Sequence, residues 1–348
     1  MGTRWVGAGR TGIPLLMAMC AVFVAGALST SALAQATGNV QNNERFELGD
    51  GVNPLVPGVG DILGDGAQPG PDWSDLFAAG GQPKDAYNEL GEPVPNGVPD
   101  FLDIFSGLRG RRDAGFLVDD VSAGTRADAS VFVAPDRVGS GIVDSLYDLG
   151  NAYAYTTFDD QHELILYAGL ERLAPGRGSI VFEFTRVAFA LDEGGRLTGT
   201  RTVGDLKVEA DYPAGILESV HLYKWGVVNE STGATGWIAV DTLPIDPSDP
   251  AEQCNGAGTL CAVCNGTTVD GGDWQNYDAA GNVVPSLGSD LFLEFGLNLT
   301  RVTGLHTYQD YYGTRYAGIS ITSYDDAATP APKDLALGSF YRASKLAR

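Results

Sequence analysis

The sequence predicts an all-β protein, an antiparallel β-sandwich of jelly-roll type preceded by an irregular arm rich in Gly, Pro and Asp. Short runs that alternate apolar and polar residues, as half-buried strands do, recur from about residue 116 onward. The 47 glycines and 18 prolines supply turns between these runs. No helical period separates one run from the next, which favours a sandwich over alternating strands and helices.

The first element is a secretory leader over residues 1–34. Arg4 and Arg10 are its only charged residues. The apolar stretch Ile13–Leu28 has about 16 residues, fewer than the roughly 20 that span a bilayer. It is followed by Ser31–Ala34, whose small-x-small pattern is typical of a cleavage site. We therefore expect a secreted, extracytoplasmic protein with no membrane span after processing.

The predicted N-terminal arm covers residues 35–115. Clusters such as Gly64-Asp65-Gly66 and Gly91–Pro95 interrupt any periodicity. Trp73–Ala79 and Phe101–Leu108 are the stretches in which a helical turn or two would fit. The arm is therefore expected to lack long regular elements.

Calcium is the one metal that the arm suggests, because Asp and Asn supply the hard oxygen ligands that it prefers. The segment Asn96–Asp103 is acidic and turn-rich, but it lacks alternating aspartates and the ligand spacing of an EF-hand. We expect no cofactor and keep calcium as the alternative.

The sandwich domain is predicted over residues 116–342, and residues 343–348 form a short tail without a sorting signal. In Asp205–Asp211, apolar residues alternate strictly with charged ones, which is typical of a strand with one buried face. The other predicted strands are Ser130–Val133, Ala152–Phe158, Glu163–Tyr167, Ser179–Thr185, Val220–Trp225, Trp237–Val240, Leu291–Leu299, Gly318–Ser323 and Asp334–Phe340.

The charge of the chain excludes one class of partner. The 44 acidic residues outnumber the 22 basic ones and give a formal net charge of −22. Nucleic acids need a basic footprint for their phosphates, so a nucleic-acid partner is not expected. Such a charge favours solubility and cation binding instead.

Blocks in a fixed order carry a resemblance over some 290 residues. They are Phe46–Leu48 with Asp72-Trp73, Asn151–Ala154, Glu163–Arg172, Gly204–Leu206, Val220–Trp225, Cys254–Cys261, Phe292–Thr300 and Lys333–Phe340. In these blocks the chain resembles a family of largely uncharacterised secreted bacterial β-sandwich domains, which often precede Ig-like or prealbumin-like repeats in surface proteins. The resemblance implies a fold and an extracellular setting, and it implies no catalytic residues. The run Tyr153–Phe184 also resembles carbohydrate-binding jelly rolls, with Asp159-Asp160 as the turn.

Three cysteines remain after the leader, and an exported protein is expected to form a disulfide. A bond between Cys254 and Cys261 would close a small Asn-Gly-rich loop, and the family resemblance implies the same pair. A bond from Cys254 to Cys264 is the alternative. Redox chemistry at Cys261 and Cys264 would need a thioredoxin-like setting, and zinc would need a fourth ligand nearer than His306.

Two sets of side chains are candidates for a functional site. Glu209 and Asp211 lie two apart on one strand, so they point to the same face, as the carboxyl pair of a jelly-roll glycosidase does. Trp225, Trp237 and Trp274 would stack on sugars if exposed, although single aromatic residues in strands more often belong to the core. The histidines, His162, His221 and His306, are far apart in sequence, and no Ser lies in a nucleophile elbow.

Three functions fit these observations. The first is a non-enzymatic, secreted binding or envelope-associated protein, whose partner is an extracellular glycan or a surface protein. The second is a polysaccharide hydrolase of jelly-roll type that uses Glu209 and Asp211. The third is a structural component of an extracellular matrix or cell surface.

Overall fold

All residues that the computed structural model describes lie within Gly38–Arg348. The predicted leader (1–34) and tail (343–348) lie outside the described residues. Those residues are 40, 46, 48, 62, 72–77, 103–107, 115–117, 131–139, 143–159, 161, 163–194, 196–247, 253–272, 274–304, 316–328, 330–339 and 341–342.

In this part of the chain, strands form two large sheets and two small ribbons, and every strand pair is antiparallel. Numbered along the chain, the seven-stranded sheet has the order β12 (Gln253–Cys254), β13 (Leu260–Cys264), β18 (Phe292–Asn298), β5 (Leu164–Arg172), β4 (Leu149–Phe158), β1 (Asp103–Gly107) and β21 (Tyr341–Arg342). The ten-stranded sheet has the order β11 (Ala234–Pro244), β10 (Ser219–Asn229), β9 (Leu206–Tyr212), β6 (Gly178–Thr185), β19 (Gly318–Tyr324), β20 (Pro332–Ser339), β2 (Gly115–Leu117), β3 (Val131–Gly139), β8 (Arg196–Thr200) and β7 (Ala190–Leu191).

The remaining elements are short. The ribbons pair β14 (Val269–Asp270) with β17 (Ser286–Leu287) and β15 (Asn276–Tyr277) with β16 (Val283–Val284). The helices are α1 (Trp73–Leu76) and α2 (Leu299–Thr303).

The main hydrophobic core lies between the two large sheets. Leu166 and Phe295 on the seven-stranded sheet, and Phe182, Val208 and Leu222 on the ten-stranded sheet, are all fully buried in one cluster. The prediction of an all-β antiparallel sandwich is therefore confirmed, while the jelly-roll type stays a prediction.

The stretch Phe101–Leu108, in which a helical turn was expected, contains the strand β1 instead. Ile104 pairs with Tyr155 of β4 and with Tyr341 of β21. The strand also lies within residues 35–115, which were predicted as the arm. The backbone groups of this stretch form hydrogen bonds with strands that are distant in sequence. The local sequence does not predict such pairing.

The second hydrophobic cluster covers the outer face of the seven-stranded sheet. All nine residues of β5 are buried, because one face of the strand meets the main core and the other meets residues of the N-terminal arm. These arm residues are Val40, Phe46, Leu48, Ile62, Trp73, Leu76 and Phe77. These seven residues of the arm are thus part of the folded core.

Trp73 is the anchor of this packing. The Asp72 side chain caps the first turn of α1, which positions the indole over the sheet. There it lies against Gly169, where an added Cβ would come within 3.1 Å of the ring. The indole Nε1 donates a hydrogen bond to Glu294 Oε2 at 3.1 Å, so a buried carboxyl group fixes the ring orientation.

A second buried carboxyl group, Glu171, holds the loop that follows β14. It accepts hydrogen bonds from Trp274 Nε1 at 3.2 Å, from Asn151 Nδ2 at 2.7 Å, and from the Tyr153 hydroxyl. Burial raises the pKa of Glu171 from 4.5 to about 7, although these hydrogen bonds act in the opposite direction. The group therefore titrates near neutral pH.

We expect Trp73→Ala to lower the free energy of unfolding by about 3–5 kcal/mol, because it empties a fully packed site and removes the bond to Glu294. Urea denaturation measures this loss. Val283→Ala, at a position that is 57% exposed, is the control and should change little. A loss below about 1 kcal/mol for Trp73→Ala would show that the arm does not stabilise the sandwich.

We expect Glu171 to make the protein less stable as the pH rises from about 4.5 to about 7. Its pKa is higher in the folded than in the unfolded chain, so the folded state binds the proton more tightly and that advantage disappears on deprotonation. The change amounts to roughly 3 kcal/mol. Urea denaturation of wild type and Glu171→Gln at several pH values in this range isolates the contribution of Glu171 to the free energy of unfolding. If the difference in unfolding free energy between the two proteins does not change with pH, the prediction is wrong.

Candidate functional site

Glu209 and Asp211 lie on the open face of β9. Leu206, Val208 and Ala210 are fully buried, whereas the charged side chains between them are partly exposed. This is the alternation that the sequence predicts, and the two carboxylates do share one face.

Strand pairing brings further polar side chains onto the same face. Ser219 of β10 lies opposite Asp211, His221 lies opposite Glu209, and Tyr223 lies opposite Lys207. On β11, Thr242 lies opposite His221. We call this surface the β9–β11 face; its members are Lys207, Glu209, Asp211, Ser219, His221, Tyr223, Trp237 and Thr242.

His221 is at the centre of this face. Its Nε2 lies 3.0 Å from Asp211 Oδ2 and 3.0 Å from Ser219 Oγ, and its Nδ1 lies 3.0 Å from Thr242 Oγ1. In a Ser-His-Asp triad the hydroxyl and the carboxylate contact opposite ring nitrogens. Here they share one nitrogen, so the arrangement fixes the imidazole but does not activate Ser219 as a nucleophile.

Both carboxylates on this face are close to a basic side chain. Glu209 Oε2 lies 3.3 Å from Lys207 Nζ, and Asp211 pairs with His221. Burial raises the pKa of Asp211 above its ordinary value, the neighbouring Glu209 raises it further, and His221 opposes both effects. The carboxylates therefore offer hydrogen-bond acceptors within a network that is already formed.

Two aromatic rings flank Lys207. The ammonium nitrogen lies 4.1 Å from the Tyr223 ring centroid and 5.6 Å from that of Trp237. Trp237 is half-buried and meets Trp225 edge to face, with the ring centroids 5.1 Å apart. Trp225 lies directly opposite Trp237 on the neighbouring strand and is only 1% exposed, so it packs beside Trp237 on the same face of the sheet.

A buried ion pair supports these rings. The guanidinium of Arg201 lies 5.4 Å from the Trp225 ring and 5.3 Å from the Trp237 ring. It forms two hydrogen bonds of 3.0 Å to Glu183, and both side chains are fully buried. A bidentate pair of this kind orients the guanidinium, and through it the aromatic rings.

Trp274 lies elsewhere, on the outer side of the seven-stranded sheet. It is 5% exposed and donates to Glu171, so it belongs to the second core cluster rather than to the β9–β11 face. Glu209, Asp211 and Trp237 thus lie on one face of the sheet, and Trp225 lies beside Trp237 on that face. His162 and His306 lie outside the described residues.

The disulfide between Cys254 and Cys261 is confirmed, and these residues lie opposite each other on β12 and β13. Cys264 is free and half-buried. Burial raises the pKa of its thiol to about 12, which keeps it protonated and unreactive near neutral pH.

Sequence reasoning missed five members of the face: Lys207, Ser219, His221, Tyr223 and Thr242. His221 looked isolated because its contacts come from two neighbouring strands. The alternation of Ser219, His221 and Tyr223 along a predicted strand was the signal that would have found three of them.

Three general findings complete this description. No group of three or more His, Cys, Asp or Glu residues is placed to hold a metal ion within the described ranges. None of the helices described here is long and apolar enough to cross a membrane. No family model, curated protein or solved structure matches the chain, so the family resemblance stays a prediction.

We expect Glu183→Gln to destabilise the protein by about 3–5 kcal/mol, because Arg201 would keep a buried charge without its carboxylate. The rings above Arg201 should then lose their fixed orientation. Urea denaturation measures the first effect and near-ultraviolet circular dichroism the second. Glu193→Gln, on an exposed turn, is the matched control. Equal stability of the two variants would contradict the supporting role of the pair.

Proposed function

We propose that the mature protein is a non-enzymatic, extracytoplasmic binding protein that takes a carbohydrate on the β9–β11 face. The observation that carries this proposal is the placement of two half-buried aromatic rings, Tyr223 and Trp237, around Lys207 on the strand face that also holds the carboxylates of Glu209 and Asp211.

The chemistry of this face suits a sugar. A pyranose ring presents an apolar C–H face that packs on an aromatic ring, and hydroxyl groups at its rim that need acceptors and donors. Carboxylates and the side chains of Ser219, His221 and Thr242 supply such partners within the same three strands. Because these side chains already contact one another, little ordering would be needed on binding.

The same geometry supports binding over hydrolysis. A glycosidase needs one carboxyl group that gives up a proton and a second that attacks the sugar or activates water. Here Glu209 pairs with Lys207, and Asp211 pairs with His221. A hydrolase of jelly-roll type therefore receives no specific support from this site.

The disulfide supports the extracytoplasmic setting that the predicted leader implies. Disulfides such as Cys254–Cys261 persist in oxidising compartments and are rare in the cytosol. A glycan or a surface protein is the kind of partner available there.

A glycan and polysaccharide array, probed with the purified mature chain, tests the proposal. We expect selective binding that Trp237→Ala and Tyr223→Ala each weaken at least about tenfold, since each removes a stacking surface. Running the array with calcium and with chelator tests whether a metal takes part. Val203→Ala, at an exposed position outside the face, is the control.

If the protein binds none of the glycans on the array, the proposal is wrong and a structural role is favoured. Binding that neither aromatic substitution weakens would place the glycan site elsewhere on the protein.

A further inference from the structure

Arg172 carries a buried positive charge without an acidic partner. It is the last residue of β5 and only 4% exposed. Its guanidinium lies over the Tyr212 ring, 3.9 Å from the centroid, and donates to the carbonyl oxygens of Gly176 and Gly215. Within the described part of the chain it forms no ion pair.

Arg201, which is also buried, has the acidic partner that Arg172 lacks. Arg201 is fully buried and forms a bidentate pair with Glu183. Burying a guanidinium is costly unless an opposite charge accepts its hydrogen bonds. Two carbonyl oxygens and an aromatic ring compensate the charge of Arg172 only in part.

The guanidinium borders a small pocket at one end of the sandwich. The cavity is partly open to solvent and its volume is about 10 Å³, the space of one water-sized group, so only a single oxygen atom of a ligand would enter it and the rest would lie at the mouth. Its polar lining includes Tyr147, Asp148, Arg172, Arg177, Ser179 and Tyr212.

Two features of this lining indicate an anionic group. The Tyr212 hydroxyl is buried and has no hydrogen-bond partner. A buried polar atom of this kind needs a partner, and a bound water or ligand would supply one. Arg177 adds a second, exposed cation to the rim. The carboxyl group of Asp148 also lines the pocket and opposes an anion.

We propose that this pocket binds the carboxylate group of a small monocarboxylate through Arg172 and Tyr212. A planar carboxylate accepts two parallel hydrogen bonds from a guanidinium, and the Tyr212 hydroxyl supplies a further donor. The ligand carries a single charge, because the net charge of −22 repels polyanions. This site is separate from the β9–β11 face and does not depend on the proposed function.

Thermal unfolding of the mature chain in sodium acetate and in sodium glucuronate tests the site. We expect a saturable rise in Tm with both salts, since a ligand that binds the folded state stabilises it. Sodium chloride at equal ionic strength and neutral acetamide, which lacks the charge of acetate, should give no saturable rise. Equal shifts in acetate and in chloride would overturn the proposal.

Substitutions assign the effect to the pocket. Arg172→Gln should weaken acetate binding at least about tenfold, as loss of a charge-assisted hydrogen bond does. Asp148→Asn should tighten binding several-fold because it removes the opposing charge. Arg196→Gln, outside the pocket, is the control and should leave binding unchanged. Wild-type affinity in Arg172→Gln would overturn the assignment.

Tyr212→Phe keeps the proposal testable if Arg172→Gln fails to fold. This change removes an unpartnered hydroxyl, so the protein without ligand should be equally stable or more stable. Acetate binding should weaken several-fold, and unchanged binding would exclude Tyr212 from the site. Trp237→Ala, on the β9–β11 face, should leave the acetate effect intact.

Discussion

Hydrogen bonds from two buried indoles to two buried carboxyl groups hold the outer layer of this protein in place. Trp73 donates to Glu294, and Trp274 donates to Glu171, on neighbouring strands of the seven-stranded sheet. Desolvating a carboxyl group is costly, so each must find donors where it lies. The arm supplies the Trp73 donor and the loop supplies the Trp274 donor, while Asn151 and Tyr153 of β4 also donate to Glu171. The packing of the arm and the satisfaction of the buried acids therefore depend on each other.

The two sheets consequently differ in what they can present to a ligand. The central strands β5 and β18 of the seven-stranded sheet are covered on both faces, by the main core and by the described arm residues with the Trp274 loop. The β9–β11 end of the ten-stranded sheet keeps polar and aromatic side chains partly exposed. Next to them on the same face of the sheet, Arg201 and Glu183 form a fully buried ion pair. A binding surface on a supported strand face needs little reorganisation when a ligand arrives.

Arg172 and Arg201, the arginines that are buried in the described part of the chain, have different surroundings. Arg201 has a carboxylate partner and contacts the aromatic rings, which is a structural arrangement. Arg172 has neutral partners and borders a pocket. The chain as a whole has a net charge of −22, but Arg172, which forms no ion pair, places a positive charge at this pocket. The proposed carboxylate site follows from that contrast.

The sequence by itself determined the all-β class, the strict alternation of β9 and the shared face of Glu209 and Asp211, because a period of two is a local property. It did not determine that Phe101–Leu108 contains a strand, that Asp211 meets His221, or that Glu171 lies beneath Trp274. Those outcomes depend on which strands become neighbours, and residues far apart in sequence decide that. Burial then sets the pKa of each ionisable group. A glutamate in water and a buried glutamate such as Glu171 are the same residue, but their surroundings give them different pKa values.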